Sequence, residues 1–227
     1  MNTLLEQLKN KRLVWQANQQ NAIANTDSTG YQELDVALHG GFPQQGVIDI
    51  DSAVGIGEIR LLLPALRARQ QQTQRQLVFI AAPMQINGEM FAQAGLSLEH
   101  ILIIQPETPE HALWSAEQCL KSGCCHSVLL WHQQLEVAQA KRLQLAAEQG
   151  DALHLLFRHK RQLSMSLPVN LAMKLSPHAQ GLSVQITKRK GGWPDNPFQV
   201  DMTKAWPTLT RVRHADNVIQ LPQSKVS

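Results

Sequence analysis

Apolar positions recur along this chain with two different periods. Leu4, Leu5, Leu8 and Val14 or Trp15 are spaced helically among polar neighbours, which predicts an amphipathic helix over Leu4 to Asn18. A polar, Ser/Thr/Asn-rich linker follows from Asn21 to Gly30, and a short helix within Ser28–Pro43 is expected to close at Gly40 and Gly41. Short apolar runs then alternate with longer helical patterns. Strands are predicted at Val47–Asp51, Leu77–Ala82, His100–Ile104, Ser127–Trp131 and Ala152–Phe157. Helices are predicted at Glu58–Arg69, Gly88–Ala94, Pro109–Lys121 and Val137–Gln149. Continuously apolar strands suit a parallel sheet covered on both faces, and the alternation predicts a doubly wound α/β domain.

After Phe157 the period becomes two. Leu171, Met173 and Leu175 precede a turn over Ser176–Gly181, and Leu182, Val184 and Ile186 follow it, which predicts an antiparallel hairpin at the sheet edge. From Lys188 onward periodicity fades among Pro, Gly, Lys and Arg, so a loosely packed tail is expected. The predicted organisation is an N-terminal helix and linker over 1–27, a core over 28–191 and a basic, aromatic tail over 192–227.

With 227 residues, 43% hydrophobic and 17% charged, the chain can bury the core of one large domain. A net charge of +3 permits weak contact with nucleic acid without requiring it. No apolar run reaches the roughly eighteen residues of a membrane span, and Met1–Lys11 lacks the apolar segment of a signal peptide. Three cysteines, two of them adjacent, fit a reducing cytoplasm better than a disulfide framework. A cytoplasmic protein with no membrane partner is expected.

The densest chemical signal lies at Gly46–Leu63, an apolar strand, a glycine-bearing turn and the start of an apolar helix. This is the layout of a phosphate-binding loop, which requires Gly-x-x-x-x-Gly-Lys-[Ser/Thr]. Here Ser52 stands at the first glycine position, Gly57 keeps the last, Glu58 replaces the lysine and Ile59 the magnesium-binding hydroxyl. Near a protein surface, two unit charges about 4 Å apart interact by about 4 kcal/mol, so Glu58 should repel a triphosphate strongly. No cofactor, no bound metal and no ATPase activity are expected. Gly55 and Gly57 could still offer amides to an anion, but turning the chain is their simpler role.

Leu61, Leu62 and Leu63 cannot all face one way on a helix, because successive residues are about 100° apart. Arg60, Leu62 and Leu63 are therefore candidates for partner contact, against a plainer account as core or solvated residues. Trp114 and Trp131 are expected in the core. Trp193 and Trp206, among Pro and Gly, are candidate binding anchors. Lys188, Arg189, Lys190, Arg211 and Arg213 are candidate DNA contacts, diluted by Asp195, Asp201 and Asp216. Cys119, Cys124, Cys125 and His126 read better as buried thiols at a helix-to-strand turn than as zinc ligands. His132 ends the fourth strand without a visible catalytic partner.

In order and spacing these segments resemble the RecA-type ATPase core from about Ser28 to Gly191. The resemblance is carried by Ser28-Thr29-Gly30, Leu34-Asp35, Gly40-Gly41-Phe42-Pro43, Gln105–Leu113, Lys121-Ser122-Gly123 and Lys188-Arg189-Lys190. It implies a RecA-like, mostly parallel sheet. Where that family carries a catalytic glutamate after the second core strand, this chain has Ala81-Ala82-Pro83; where it holds magnesium with an aspartate, this chain has Trp131-His132. Gly57–Leu66, Ala112–Gln118 and Arg142–Gly150 are similar to the degenerate RecA relatives ImuA and SulA. The ImuA resemblance implies a non-catalytic accessory of the SOS response in error-prone translesion synthesis. Its implied partners are an inactive Y-family polymerase relative, an error-prone replicative-type polymerase and RecA itself. The SulA resemblance implies instead a cell-division inhibitor that binds FtsZ. A surviving nucleotide-dependent ATPase is the remote third alternative.

Overall fold

The computed structural model describes residues 26–159, 167–189 and 196–207. The predicted N-terminal helix, and Trp193, Lys190, Arg211 and Arg213, lie outside these residues. Ten strands and five α-helices occur among the described residues: β1 (Thr26–Asp27), α1 (Gln32–Leu38), β2 (Phe42–Pro43), β3 (Gly46–Asp51), α2 (Glu58–Gln72), β4 (Gln76–Ile80), α3 (Gly88–Gln93), β5 (Ile101–Ile104), α4 (Pro109–Lys121), β6 (Cys125–Trp131), α5 (Val137–Gln149), β7 (Leu153–Arg158), β8 (Leu171–His178), β9 (Gly181–Arg189) and β10 (Phe198–Asp201). The main sheet has the order β10-β9-β8-β3-β7-β6-β4-β5. Its β3, β7, β6, β4 and β5 pair in parallel, and β8, β9 and β10 extend it as an antiparallel meander joined in parallel to β3. This is the predicted α/β fold with its antiparallel hairpin.

Alternation along the strands divides the interior into two cores. Ile48, Ile50, Phe79, Leu129, Leu155 and Phe157 face α1, α2 and α3, whereas Val47, Val78, Val128, Leu130 and Leu156 face α4 and α5. On the first face Phe91, Phe79, Trp131 and Phe157 form a ladder, with the Trp131 and Phe157 rings stacked 4.6 Å apart. On the second, α4 presents the stripe Ala112, Ala116 and Leu120. Trp114 lies between stripe positions and is 63% exposed, so it is a surface residue and not the core residue the sequence suggests.

Two further expectations are corrected. Leu61, Leu62 and Leu63 are all buried, at 0%, 1% and 1% exposure. The sheet takes one side of α2, and the lead-in segment carrying Tyr31, Leu34 and Phe42 shares its core on the other. A Cβ on Gly30 would fall 2.4 Å from Pro64 Cβ, which shows how closely that segment lies on the helix. Leu62 and Leu63 are therefore core, not partner contacts. Part of the expected loose tail is also ordered: Phe198–Asp201 pairs with β9 as the last strand, burying Val200 and the following Met202.

Candidate functional site: an occupied phosphate loop

The loop between β3 and α2 has the geometry of an anion cradle, and a side chain of the protein fills it. Gly55 and Gly57 both take positive φ, 85° and 109°, which turns their amides inward as glycine permits. The Glu58 carboxylate turns back along the first helical turn. Its Oε1 accepts from Gly55 N–H at 3.0 Å and its Oε2 from Gly57 N–H at 3.1 Å. Glu58 is only 2% exposed, despite its charge. A carboxylate here satisfies donors that a helix start leaves free and lies at the positive end of the helix dipole. The sequence puts a carboxylate where a phosphate loop has its lysine. What it does not show is that this carboxylate turns back onto the loop's own amides.

The flanking loop residues are tied inward as well. Ser52 is buried, with its amide donating to Arg158 O at 3.0 Å and its hydroxyl to Ala53 O at 2.8 Å. Ile59 is buried in the first core. Arg60 is half-buried, with its guanidinium over Gly57, where an added Cβ would meet Nη2 at 3.0 Å.

Behind the loop runs a hydrogen-bond relay. Pro64 sits inside α2 and has no N–H for the carbonyl of Arg60, four residues earlier. The Tyr31 hydroxyl supplies the donor, reaching Arg60 O at 3.3 Å. Trp206 Nε1 in turn donates to the Tyr31 oxygen at 3.3 Å. Burial raises the Tyr31 pKa, opposed by the Trp206 hydrogen bond and the positive charge of Arg60. Trp206 is thus packed back onto the first core and is not a free anchor.

Lys188 and Arg189 are also engaged internally. Lys188 Nζ donates to Leu167 O at 2.5 Å, and Arg189 Nη1 to Ala37 O at 2.8 Å. Both are half-buried and directed at carbonyls, so neither presents the free cation expected of a DNA contact.

At the carboxyl ends of the parallel strands, the positions that would carry catalytic carboxylates hold other groups. Ala81 follows β4 in a left-handed conformation, φ 53°, and Ala82 O accepts from Gln105 Nε2 at 3.2 Å. His132 follows β6, its pKa lowered by burial despite the neighbouring Pro109 carbonyl and Glu110. Beneath them lies an ion pair that the sequence analysis missed. Arg158 Nε donates to Asp49 Oδ1 at 2.8 Å and Nη2 to Oδ2 at 2.5 Å, with side-chain exposures of 4% and 3%. The available signal was a charge inside one apolar strand, Val47–Asp51, and another directly after the apolar run Ala152–Phe157.

Residues 4–153 match the family described as the RecA N-terminal domain. Among curated proteins, the chain is 29% identical over 142 residues to Protein RecA of Prochlorococcus marinus (strain AS9601), covering 63% of this chain and 37% of that one. It is 31% identical over 126 residues to Protein RecA of Synechococcus sp. (strain CC9902), covering 56% and 32%. The chain therefore spans about a third of the length of these relatives. Among solved structures it is similar to the crystal structure of SulA from Pseudomonas aeruginosa, with 31% identity over 50% of this chain and 98% of that one and a TM-score of 0.43. The family match covers well over half of the chain, which belongs to the RecA N-terminal domain family.

Proposed function

We propose that this RecA-related chain works without nucleotide, as a non-catalytic accessory of the SOS response that supports error-prone translesion synthesis through protein–protein contacts. The observation that carries the reading is the buried Glu58 carboxylate on the amides of Gly55 and Gly57. ATP would have to displace that carboxylate from two hydrogen bonds and then lie beside its charge. At about 4 kcal/mol per unit-charge pair, against about 1.4 kcal/mol per tenfold in affinity, useful binding is lost. The residues at the ends of β4 and β6 themselves, Ala81, Ala82 and His132, carry no carboxylate that could serve as a base for water or a ligand for magnesium.

Membership of the RecA family and the similarity of Gly57–Leu66 to ImuA support the SOS setting. On this reading the partners are an inactive Y-family polymerase relative, an error-prone replicative-type polymerase and RecA. Their contacts belong on exposed apolar side chains such as Trp114, since Leu61, Leu62 and Leu63 of α2 are buried.

Two measurements test the proposal. Calorimetric titration with Mg-ATP should give no saturable heat, and micromolar binding would overturn the non-catalytic reading. A tagged pull-down from DNA-damaged cells should recover a translesion polymerase or its inactive relative. Recovery of FtsZ in their place would make the chain a division inhibitor.

A further inference from the structure

The main sheet ends differently on its two sides. At one end β10 turns Gln199 and Asp201 to solvent, and polar edge residues of this kind discourage further strand pairing. At the other end β5 is Ile101-Leu102-Ile103-Ile104, with no charge, proline or glycine within it. Leu102 and Ile103 are 45% and 46% exposed although both are aliphatic. The register explains why. Leu102 lies level with Val78 and Val128 in the row that faces the second core, and Ile103 with Phe79 and Leu129 in the row that faces the first. Both rows run outward to β5 and stop there in open side chains. On one face α4 packs over β4 and β6, and on the other the short α3 abuts the turn Leu98–His100 that precedes β5.

The same end of the molecule carries charge of one sign. From Gln76 to Leu120 the chain has five glutamates and neither lysine nor arginine, although its net charge is +3. Glu117 is buried and paired with Lys121 and Arg142. Glu89, Glu99, Glu107 and Glu110 are exposed, and none of the four forms a salt bridge among the described residues. Glu99 stands just before β5 and Glu107 just after it. From the open edge and its charge we propose that β5 docks an extended segment of another protein, aliphatic at its centre and flanked by lysine or arginine, which joins the sheet as a further strand.

Edge strands present a row of amides and carbonyls, which give such a segment main-chain hydrogen bonds, and Leu102 and Ile103 give it an apolar contact on each face. The glutamates select its charge and speed its arrival. A second copy of this chain fits the edge less well. With a two-fold axis between Leu102 and Ile103, position 99 of one copy faces position 106 of the other, which sets Glu99 beside Glu107 of the second copy. Like charges placed so closely across a strand pair oppose it. Nucleic acid meets the same carboxylates and is repelled. This surface is independent of the SOS setting, because the edge and its charges select a segment by chemistry alone.

The test titrates the full chain into three fluorescein-labelled peptides and reads anisotropy. The first is Lys-Arg-Val-Ile-Val-Val-Arg-Lys, the second has glutamate at every basic position, and the third is the first with alternate backbone amides methylated. The basic peptide should bind saturably and the glutamate version about tenfold more weakly or worse. Amide methylation should abolish binding, because it removes the donors that pair with the edge. Ile103→Lys puts a charge on the exposed edge and should weaken the basic peptide by about tenfold, whereas Leu145→Lys, at an exposed leucine of α5, should leave it unchanged. Thermal unfolding checks that both variants fold, and the three peptides on the wild type decide the matter if one does not. Absence of saturable binding, equal binding of the basic and acidic peptides, or binding that survives amide methylation overturns the proposal. So does self-association of the wild type in sedimentation that Ile103→Lys prevents, which would give the edge to a second copy. None of these results depends on which protein a pull-down from damaged cells recovers.

Discussion

The Tyr31 hydroxyl donates to the carbonyl of Arg60 at 3.3 Å, the carbonyl that Pro64 leaves without its helical donor. A proline inside a buried helix therefore has its missing bond made by a residue 29 positions upstream of Arg60. The same oxygen accepts from Trp206 Nε1, so one hydroxyl links the lead-in, the loop helix and the segment after β10.

Tyr31→Phe is expected to cost about 1 kcal/mol, the net worth of a typical hydrogen bond. In a Pro64→Ala background the restored backbone amide takes over the Arg60 carbonyl, and the cost of Tyr31→Phe should shrink. A double-mutant cycle by urea unfolding measures this coupling. Additive effects of the two changes would show that the hydroxyl is not standing in for the lost amide.

Glu58→Ala leaves two loop amides without their acceptor and should destabilise the protein by roughly 1–3 kcal/mol. Formate should recover part of that loss in the variant and leave the wild type unmoved, because a free carboxylate can enter only an emptied cradle. Melting temperatures with and without formate provide the comparison. Equal response of both proteins to the salt would contradict the occupied-cradle geometry.

Removing one member of the Asp49–Arg158 pair strands a buried charge. Arg158→Leu and Asp49→Leu should each cost about 3–5 kcal/mol, and the double leucine variant should be markedly more stable than the sum implies. Equilibrium unfolding of the three variants decides it; single variants near wild-type stability would mean the pair is hydrated.

Acid should weaken the fold through two buried histidines. Burial lowers His154 to about 4 and His126 to about 3, and the charges of Arg69 and Arg75 oppose protonation of His126 further. Both folded values lie below the ordinary histidine value near 6.5, so the unfolded chain binds the extra protons. Their stabilising contribution is complete above about pH 6.5 and is lost as pH falls toward about 4 and 3. For His154 the whole loss is on the order of 3 kcal/mol. Unfolding free energies between pH 7 and pH 5 should fall less steeply in His154→Gln than in the wild type.

Leu62→Ala should cost about 2–5 kcal/mol, whereas Trp114→Ala should change stability by no more than about 0.5 kcal/mol. The pair separates residues that hold the fold from residues free to meet a partner. Denaturant midpoints for the two variants give the contrast, and a large loss from Trp114→Ala would place that ring in a packed setting.

Much of the scaffold was legible in the sequence because its signals are local. Pro109–Lys121 and Val137–Gln149 show their helical period within their own residues, and the structure caps them with Thr108 Oγ accepting from His111 N–H at 3.2 Å and Gln139 Oε1 accepting from Glu136 N–H at 2.9 Å. The substituted phosphate loop was legible for the same reason. What depended on distant chain was not. The three leucines of α2 look partly exposed until Tyr31, Leu34 and Phe42 are laid over them. Phe198–Asp201 has too few apolar residues to announce a strand and becomes one by pairing with Gly181–Val184. Glu58 was legible as a carboxylate at the lysine position of the loop, but its inward turn depends on the left-handed conformation of Gly57, which no pattern of side chains records.

A loop that carries its own counter-ion has no vacant state to fill. Two conformations that trade places as a ligand arrives and is hydrolysed would give a protein a clock, and on the proposed reading the Glu58 carboxylate holds that clock at one setting. On the proposed reading, the number of complexes this protein forms follows how much of it the cell makes and destroys, and is indifferent to the cell's energy charge.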